Sequence, residues 1–205
     1  IATLFEHPGL PNHALPRPTD QIGDANLLDK HEYEVLLRYQ IHQPGLHELM
    51  RELRALVDEY PGERVLIGED ENVAFHGAGD DELHMVFNFP LMRAKRLTPA
   101  HIRANQAQRL AELPPGAWPC NTLGHHDAPR VWSRYGDGAP NAELARLHIA
   151  LLLTLKGTPF LFNGEEIGMA DLELSDLAHF RDTSALGQYH MLTRRLGMPP
   201  EQALD

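Results

Sequence analysis

Cysteine is almost missing from this sequence, and so are basic residues in excess and long apolar runs. The single cysteine, Cys120, excludes an internal disulfide framework and any cysteine-rich zinc module, and is compatible with a reducing compartment. The longest apolar run, "IALLLTL" at residues 149 to 155, is far too short to span a bilayer. With 18 Lys and Arg against 29 Asp and Glu, the net charge of −11 repels phosphate backbones and anionic lipid, and no local basic patch overrides it. Neither a fixed short repeat nor a low-complexity tract is present. The chain opens at Ile1 without a Met or a signal-type leader, so translation is expected to start elsewhere and the chain reads as a fragment. These absences predict a cytoplasmic protein with no nucleic-acid or membrane partner.

What is there is ordinary globular material: 205 residues, 42% hydrophobic and 23% charged, enough for a domain with a real core. Residues 8 to 32, with Pro8, Pro11, Pro16, Pro18, Gly9 and Gly23, predict a long excursion rather than a packed element. Leu46, Leu49, Met50, Leu53, Leu56, Val57 and Tyr60 recur at three- and four-residue steps, so "GLHELMRELRALVDEY" predicts an amphipathic helix closed by Pro61 and Gly62. "RVLIG" at 64 to 68 predicts a strand covered on both faces. "HMVFNF" at 84 to 89 predicts a second strand, and Thr98 before Pro99 a helix through about Leu113. "WPCNTLG" at 118 to 124 follows as a strand, "NAELARLHIALLLTL" at 141 to 155 as a largely buried helix, and "PFLF" at 159 to 162 as a strand weakened by Pro159. Strands alternating with helices predict one parallel α/β layer, with helical pieces over 171 to 205, "LGQYHMLTRRLGM" the clearest.

In such a fold the carboxyl ends of the strands open onto the active-site face. Here they carry Glu69, Asn88 to Pro90, His125 to Asp127 and Asn163 to Glu166. Polar residues after strands are also ordinary loop chemistry, so it is the recurrence that matters. Metal binding is one reading of "NTLGHHDAPR". Neighbouring side chains on extended backbone point to opposite faces, so His125 and His126 are not expected to converge on one ion, though His125 and Asp127 could, and no His-x-His pair occurs. The other reading pairs Glu69 with Asp127, because a glycosidic bond is cleaved between two carboxyl groups, one kept protonated by a poorly solvated setting. Glu69 suits that acid, while Asp127 and His126 suit sugar hydroxyls. Arg130 either holds Asp127 ionised or is a solvated loop cation.

"RVLIGED" at 64 to 70, "NTLGHHDAPR" at 121 to 130 and "GTPFLFNGEEIGM" at 157 to 169 resemble, in order and spacing, three consecutive motifs of glycoside hydrolase family 13, the α-amylase family, in its α-glucosidase and oligo-1,6-glucosidase branch. The linking stretches resemble that branch too, so the likeness covers most of residues 40 to 170. It implies an α/β (β/α)₈ TIM barrel, of which this chain would be the second half, strands five to eight, over residues 1 to 170, with a helical segment from 171 to 205. By motif match Glu69 takes the general acid/base position and His126 and Asp127 the pair that binds hydroxyls of the sugar at the cleavage point, so Glu69 and Asp127 are the expected catalytic residues and His126, with Arg130, the expected substrate-binding ones. Glu165 and Glu166 read as structural, in the eighth strand and its turn. The substrate implied is an α-linked gluco-oligosaccharide or disaccharide. No cofactor is expected in this chain, the calcium site of many relatives lying in the half not represented here.

The family's nucleophile, the Asp of a "GFRxD" motif, has no match in the 205 residues. "IATLFEHPG" is similar to the segment that follows that Asp, and Asp20 and Asp24 do not fit the motif. His125 stands where many α-glucosidases have Asn, and "LFNGEE" replaces the commoner "IYQGEE". The leading expectation is a retaining α-glucosidase-type hydrolase, inactive as an isolated piece. A transglucosylase or isomerase, a non-catalytic scaffold like the heavy subunits of amino-acid transporters, and a metal-dependent barrel hydrolase are the alternatives. Half a barrel would leave the strands at 64 to 68 and 159 to 162 with unpaired edges.

Overall fold

The computed structural model describes residues 43–136 and 141–204, together with Gly9, Val35 and residues 37–41. Apart from Gly9, the proline-rich excursion, with Asp20 and Asp24, lies outside the described residues. One compact unit holds Pro44–Asp171, and Leu172–Asp205 belong to a second.

Helix α1 (Leu46–Asp58) forms on the apolar spacing and ends ahead of Pro61 and Gly62. Leu46 and Met50 are buried against Phe75, Leu83 and Val86. Each side chain so buried contributes about 1.5–3 kcal/mol. Leu53, Leu56 and Tyr60, on the later part of the stripe, are exposed. His47 and Arg51 grip the buried carboxylate of Glu82, each at 2.8 Å.

Strand β1 (Ile67–Gly68) pairs in parallel with β2 (Met85–Val86), Ile67 facing Met85. Beyond β2 the chain turns into α2 (Phe89–Met92), where Pro90 suits the first helical turn. Helix α3 (Pro99–Glu112) starts where Thr98 and Pro99 predict it, the Thr98 hydroxyl accepting from the His101 N–H at 3.2 Å. Strand β3 (Cys120–Thr122) leads through α4 (Val131–Arg134) to α5 (Ala142–Thr154), capped by Asn141. Strand β4 (Thr158–Phe160) pairs in parallel with β3, with Pro159 opposite Asn121.

The four strands are all there, yet each is shorter than its apolar run, and the single parallel layer is two parallel pairs. Side chains take over where the β2–β3 ladder is missing. Buried Arg109 of α3 donates to the carbonyls of Val86 at 3.0 Å and Phe87 at 3.1 Å, and to that of Glu71 at 2.5 Å. The Cys120 thiol donates to the same Val86 carbonyl at 3.1 Å. Carbonyls that lack a ladder partner must find another when buried, which is what a long cation supplies.

Asn88, Asn105, Gln106 and Asn121 form an amide network between the two strand pairs. Asn88 Nδ2 donates to Asn121 Oδ1 at 2.9 Å and to Asn105 Oδ1 at 2.8 Å, and Gln106 Nε2 also donates to Asn121 Oδ1 at 2.9 Å. Asn121 Nδ2 in turn donates to the Lys156 carbonyl at 3.0 Å, tying the start of β4 to β3. Asn88, inspected as a strand-end candidate, therefore serves the scaffold.

Two burial expectations are overturned. Val65, just ahead of β1, is 53% and Ile67 41% exposed, because among the described residues β1 is flanked by one strand and the alternating side chains face away from the core. In α5, His148 and Leu152 are buried but Leu147 and Leu153 are 62% and 56% exposed, since the core of Leu91, Leu123, Val131, Tyr135 and Leu152 lies on one side of the helix.

In the second unit, α6 (Thr183–Arg194) is capped by Asp182, whose carboxylate accepts from the Ala185 N–H at 2.7 Å. A cavity of about 570 Å³ there is lined by Leu172, Phe180, Glu201 and Leu204 among others. Among the described residues no helix is long and apolar enough to cross a membrane.

Candidate active site

Glu69 stands one residue beyond β1, and His125, His126 and Asp127 stand just beyond β3, so parallel strands bring four polar side chains to one end of the unit. Glu69 Oε1 lies 2.8 Å from His125 Nε2 and 3.4 Å from His126 Nε2. His126 Nε2 is also 3.4 Å from Asp127 Oδ2. One imidazole nitrogen thus lies between the two carboxylates that the sequence singles out.

The expectation that His125 and His126 diverge is corrected. Residues 125 to 128 are not extended; the Ala128 N–H donates to the His125 carbonyl at 3.2 Å, closing a turn. The two rings consequently lie on the same side, their centroids 4.1 Å apart. The Asp127 N–H donates to His125 Nδ1 at 3.2 Å, so the neutral ring carries its proton on Nε2 and donates it to Glu69.

A poorly solvated setting for Glu69 is not what the described residues provide: its side chain is 54% exposed, and those of His126 and Asp127 are 58% and 75% exposed. His125 is enclosed, at 14%, with Phe89 and Phe87 approaching its ring at 4.9 Å and 6.3 Å between centroids, both near perpendicular. A cavity of about 390 Å³ opens beside the cluster, lined by Glu69, His125 and His126 on the polar side and by Phe87, Phe160 and Phe162 on the apolar side. An apolar wall with a few convergent polar groups is the usual make-up of a small-molecule site.

Arg130 turns away from Asp127. Its guanidinium donates to the Asn163 carbonyl at 2.7 Å and lies over the Phe162 ring at 5.0 Å, while its N–H donates to the Asp171 carboxylate at 2.9 Å. Arg130 thereby braces an aromatic wall of the cavity.

Glu165 and Glu166 behave as their structural reading requires. Glu165 accepts from the Phe162 N–H at 3.1 Å and Glu166 from the Gly164 N–H at 2.8 Å, closing the turn after β4. Gly124 matters here, because a Cβ at that position would run into the Glu165 carboxylate. Burial pushes the Glu165 carboxyl above its usual range, opposed by its bond from Phe162 and by Arg134 and Arg130. Burial likewise pushes the Cys120 thiol up to about 11, so it is a packing residue and not a nucleophile.

The three phenylalanines are cavity residues that the sequence reading left out, and His125, inspected there as a strand-end residue, was given no catalytic role. Phe160, the last residue of β4, and Phe162 stand two apart in "PFLF", a period-two signal that points at a wall. For His125, only the turn at 125 to 128 reveals where the ring goes.

The chain matches the pattern of the alpha amylase catalytic domain over residues 16–195. It is 34% identical over 186 residues to an oligo-1,6-glucosidase of Heyndrickxia coagulans, covering 77% of this chain and 34% of the relative. It is 29% identical over 222 residues to an alpha-glucosidase of Pediococcus pentosaceus, covering 98% and 37%. Among solved structures, the alpha-glucosyl transfer enzyme XgtA superposes with a TM-score of 0.72 at 25% identity, over 91% of this chain and 35% of that one. A MutB mutant in complex with the substrate sucrose gives 0.71 at 26% identity, over 99% and 37%. The chain spans about a third of the length of the curated relatives it matches.

Proposed function

The chain belongs to the alpha amylase catalytic-domain family, and from that premise we propose that it carries the acid/base half of a retaining glycoside hydrolase acting on α-glucosidic bonds of oligosaccharides or disaccharides. The observation that supports this most directly is the meeting of Glu69 and Asp127 across His126 at the ends of β1 and β3. Retaining glycoside cleavage needs an acid/base carboxyl and a nucleophile carboxyl; Glu69, reached by solvent beside an aromatic cavity, is placed for the first, and Asp127 stands with it as a hydroxyl-binding carboxylate.

In this reading Glu69 protonates the departing glycosidic oxygen and then, as carboxylate, takes a proton from the incoming water. His125 holds that carboxylate in place through Nε2–H, and no cofactor in this chain takes part. Asp127 and His126 accept and donate hydrogen bonds to ring hydroxyls, bonds that strengthen as positive charge develops on the sugar. Phe87, Phe160 and Phe162 offer apolar faces to the carbon side of the ring. Arg130, tied to Asn163 and Phe162, acts on substrate through the position of that wall. The nucleophile comes from a "GFRxD" segment outside these 205 residues, and the fold completed with it is a (β/α)₈ barrel whose second half is this chain. An intact mass of the native gene product above 23.0 kDa, with that motif ahead of Ile1, is the result expected; a native product of 23.0 kDa refutes this part.

The residue roles are tested by Glu69→Gln in the catalytically competent protein that contains this chain. Turnover of an unactivated disaccharide is expected to fall by roughly 10²–10⁴, the usual worth of general acid/base catalysis. Formation of the glycosyl-enzyme from an aryl glucoside, whose leaving group needs little protonation, is expected to fall much less. Equal retention of both rates refutes the assignment. Transfer to a second sugar instead of water is a second reading, favoured by the likeness to the alpha-glucosyl transfer enzyme; product analysis with glucose added as acceptor separates the two.

A further inference from the structure

The four polar residues at the ends of β1 and β3 have a property that hydrolysis does not use. One ligand atom from each of Glu69, His125, His126 and Asp127 lies within 4.8 Å of all the others. Two imidazoles and two carboxylates are a complete donor set for a borderline divalent ion such as zinc, which takes nitrogen and oxygen ligands at about 2.0–2.2 Å in a tetrahedron. Ligand atoms on such a tetrahedron stand roughly 3.3 Å apart. The Glu69–His126 and His126–Asp127 separations are both 3.4 Å, and the Glu69–His125 separation, now a hydrogen bond, is 2.8 Å. Closing the set takes displacements of side-chain ends, three of which are more than half exposed and free to make them.

We propose that this cluster is a reversible binding site for a divalent transition-metal ion of the zinc class, and that the ion switches the site off. The second imidazole makes the difference. His125 gives the cluster a second nitrogen donor, and the turn at 125 to 128 aims it at Glu69. Binding through Nε2 ends the hydrogen bond that His125 donates to Glu69. If the ring binds through Nε2, the proton it retains moves to Nδ1 and the bond from the Asp127 N–H is lost; at 3.2 Å that bond is a long one. An ion so held takes the lone pairs of Glu69 and of His126 and Asp127, leaving nothing to protonate a leaving group or to receive a hydroxyl. That inhibitory consequence rests on the glycosidase reading; the binding itself does not.

The test is carried out on the catalytically competent protein that contains this chain, with the metals alone. Zinc is titrated in competition with a chromophoric chelator, and copper(II) serves as a paramagnetic reporter that counts coordinated imidazoles. One zinc per chain is expected at this site, with affinity falling at least about tenfold in His125→Asn and in Glu69→Gln, each checked for an unchanged circular dichroism spectrum. Copper is expected to show two imidazole nitrogens in the unmodified chain and one in His125→Asn. Because the chain has 13 histidines, binding that neither substitution weakens overturns the proposal. If a variant fails to fold, the unmodified chain still decides, since fewer than two imidazoles on copper also overturns it. A failure here leaves the hydrolase reading standing, because that reading needs no metal. Full turnover in Glu69→Gln would remove the hydrolase reading and leave the metal site untouched.

Discussion

Replacing Asn121 by Ala probes the joint between the two strand pairs and, through β3, the turn that carries His125 to Asp127. Asn121 is 1% exposed and makes bonds from Asn88 at 2.9 Å, from Gln106 at 2.9 Å and to the Lys156 carbonyl at 3.0 Å. Each net hydrogen bond contributes about 0.5–1.5 kcal/mol, and a buried group left without a partner costs about 1–3 kcal/mol. Asn88 and Gln106 both keep Asn105 Oδ1 as an acceptor, at 2.8 Å and 3.1 Å, so the heaviest loss falls on the Lys156 carbonyl. A total destabilisation of roughly 2–4 kcal/mol follows. Urea unfolding of the full chain, followed by the fluorescence of Trp118 and Trp132, measures it; with urea slopes of about 1–3 kcal/mol/M the midpoint falls by about a molar unit or more. Gln108→Ala, which removes an exposed bond to Glu112, is the control and is expected to change stability by less than about 0.5 kcal/mol. If Asn121→Ala matches that control, the network is not what couples β2, β3 and β4.

The buried carboxyl of Glu165 gives a pH test. Because its folded-state pKa is raised, its contribution to stability is full below the ordinary carboxylate range and is lost as pH rises through the raised value, so Glu165→Gln should gain on the unmodified chain from acid toward neutral pH. A stability difference that does not vary with pH contradicts this. Cys120, buried with its thiol pushed up to about 11, should react with a thiol reagent at neutral pH only as fast as the chain opens, and at the free-thiol rate in denaturant; rapid labelling of the folded chain contradicts its burial. Gly168 has φ 67 and faces the Trp132 ring, so Gly168→Ala should destabilise by about 1 kcal/mol or more. Gly187 lies within α6 with open space around it, so Gly187→Ala should stabilise by about 0.5–1 kcal/mol. Thermal unfolding separates the two signs.

The helices were legible because their signals are local. Thr98 before Pro99 and Asn141 before the apolar run of α5 carry their own caps, and the spacing of Leu46 and Met50 lies within a helical turn. The strands were legible as positions but not as lengths, since a ladder ends where its neighbour ends, and the chain after β2 bends into α2. Glu69 and Asp127 were legible as candidates because each follows an apolar strand. Their meeting across His126 is a matter of how the β1–β2 pair packs beside the β3–β4 pair, which no stretch of sequence contains. His125 was misjudged for the same reason. Alternation along extended backbone is a local rule, and the turn at 125 to 128 suspends it.

Composition, charge, caps and motif order therefore belong to the chain alone, because each depends on residues within a few positions of one another or on totals. The tertiary structure decided what stands beside what: Arg109 and the amide network in place of a ladder between β2 and β3, the aromatic wall that Arg130 braces, and two imidazoles facing one carboxylate. Those contacts join residues far apart in sequence. Their geometry comes from the packing of several elements at once, and so only the folded chain contains it.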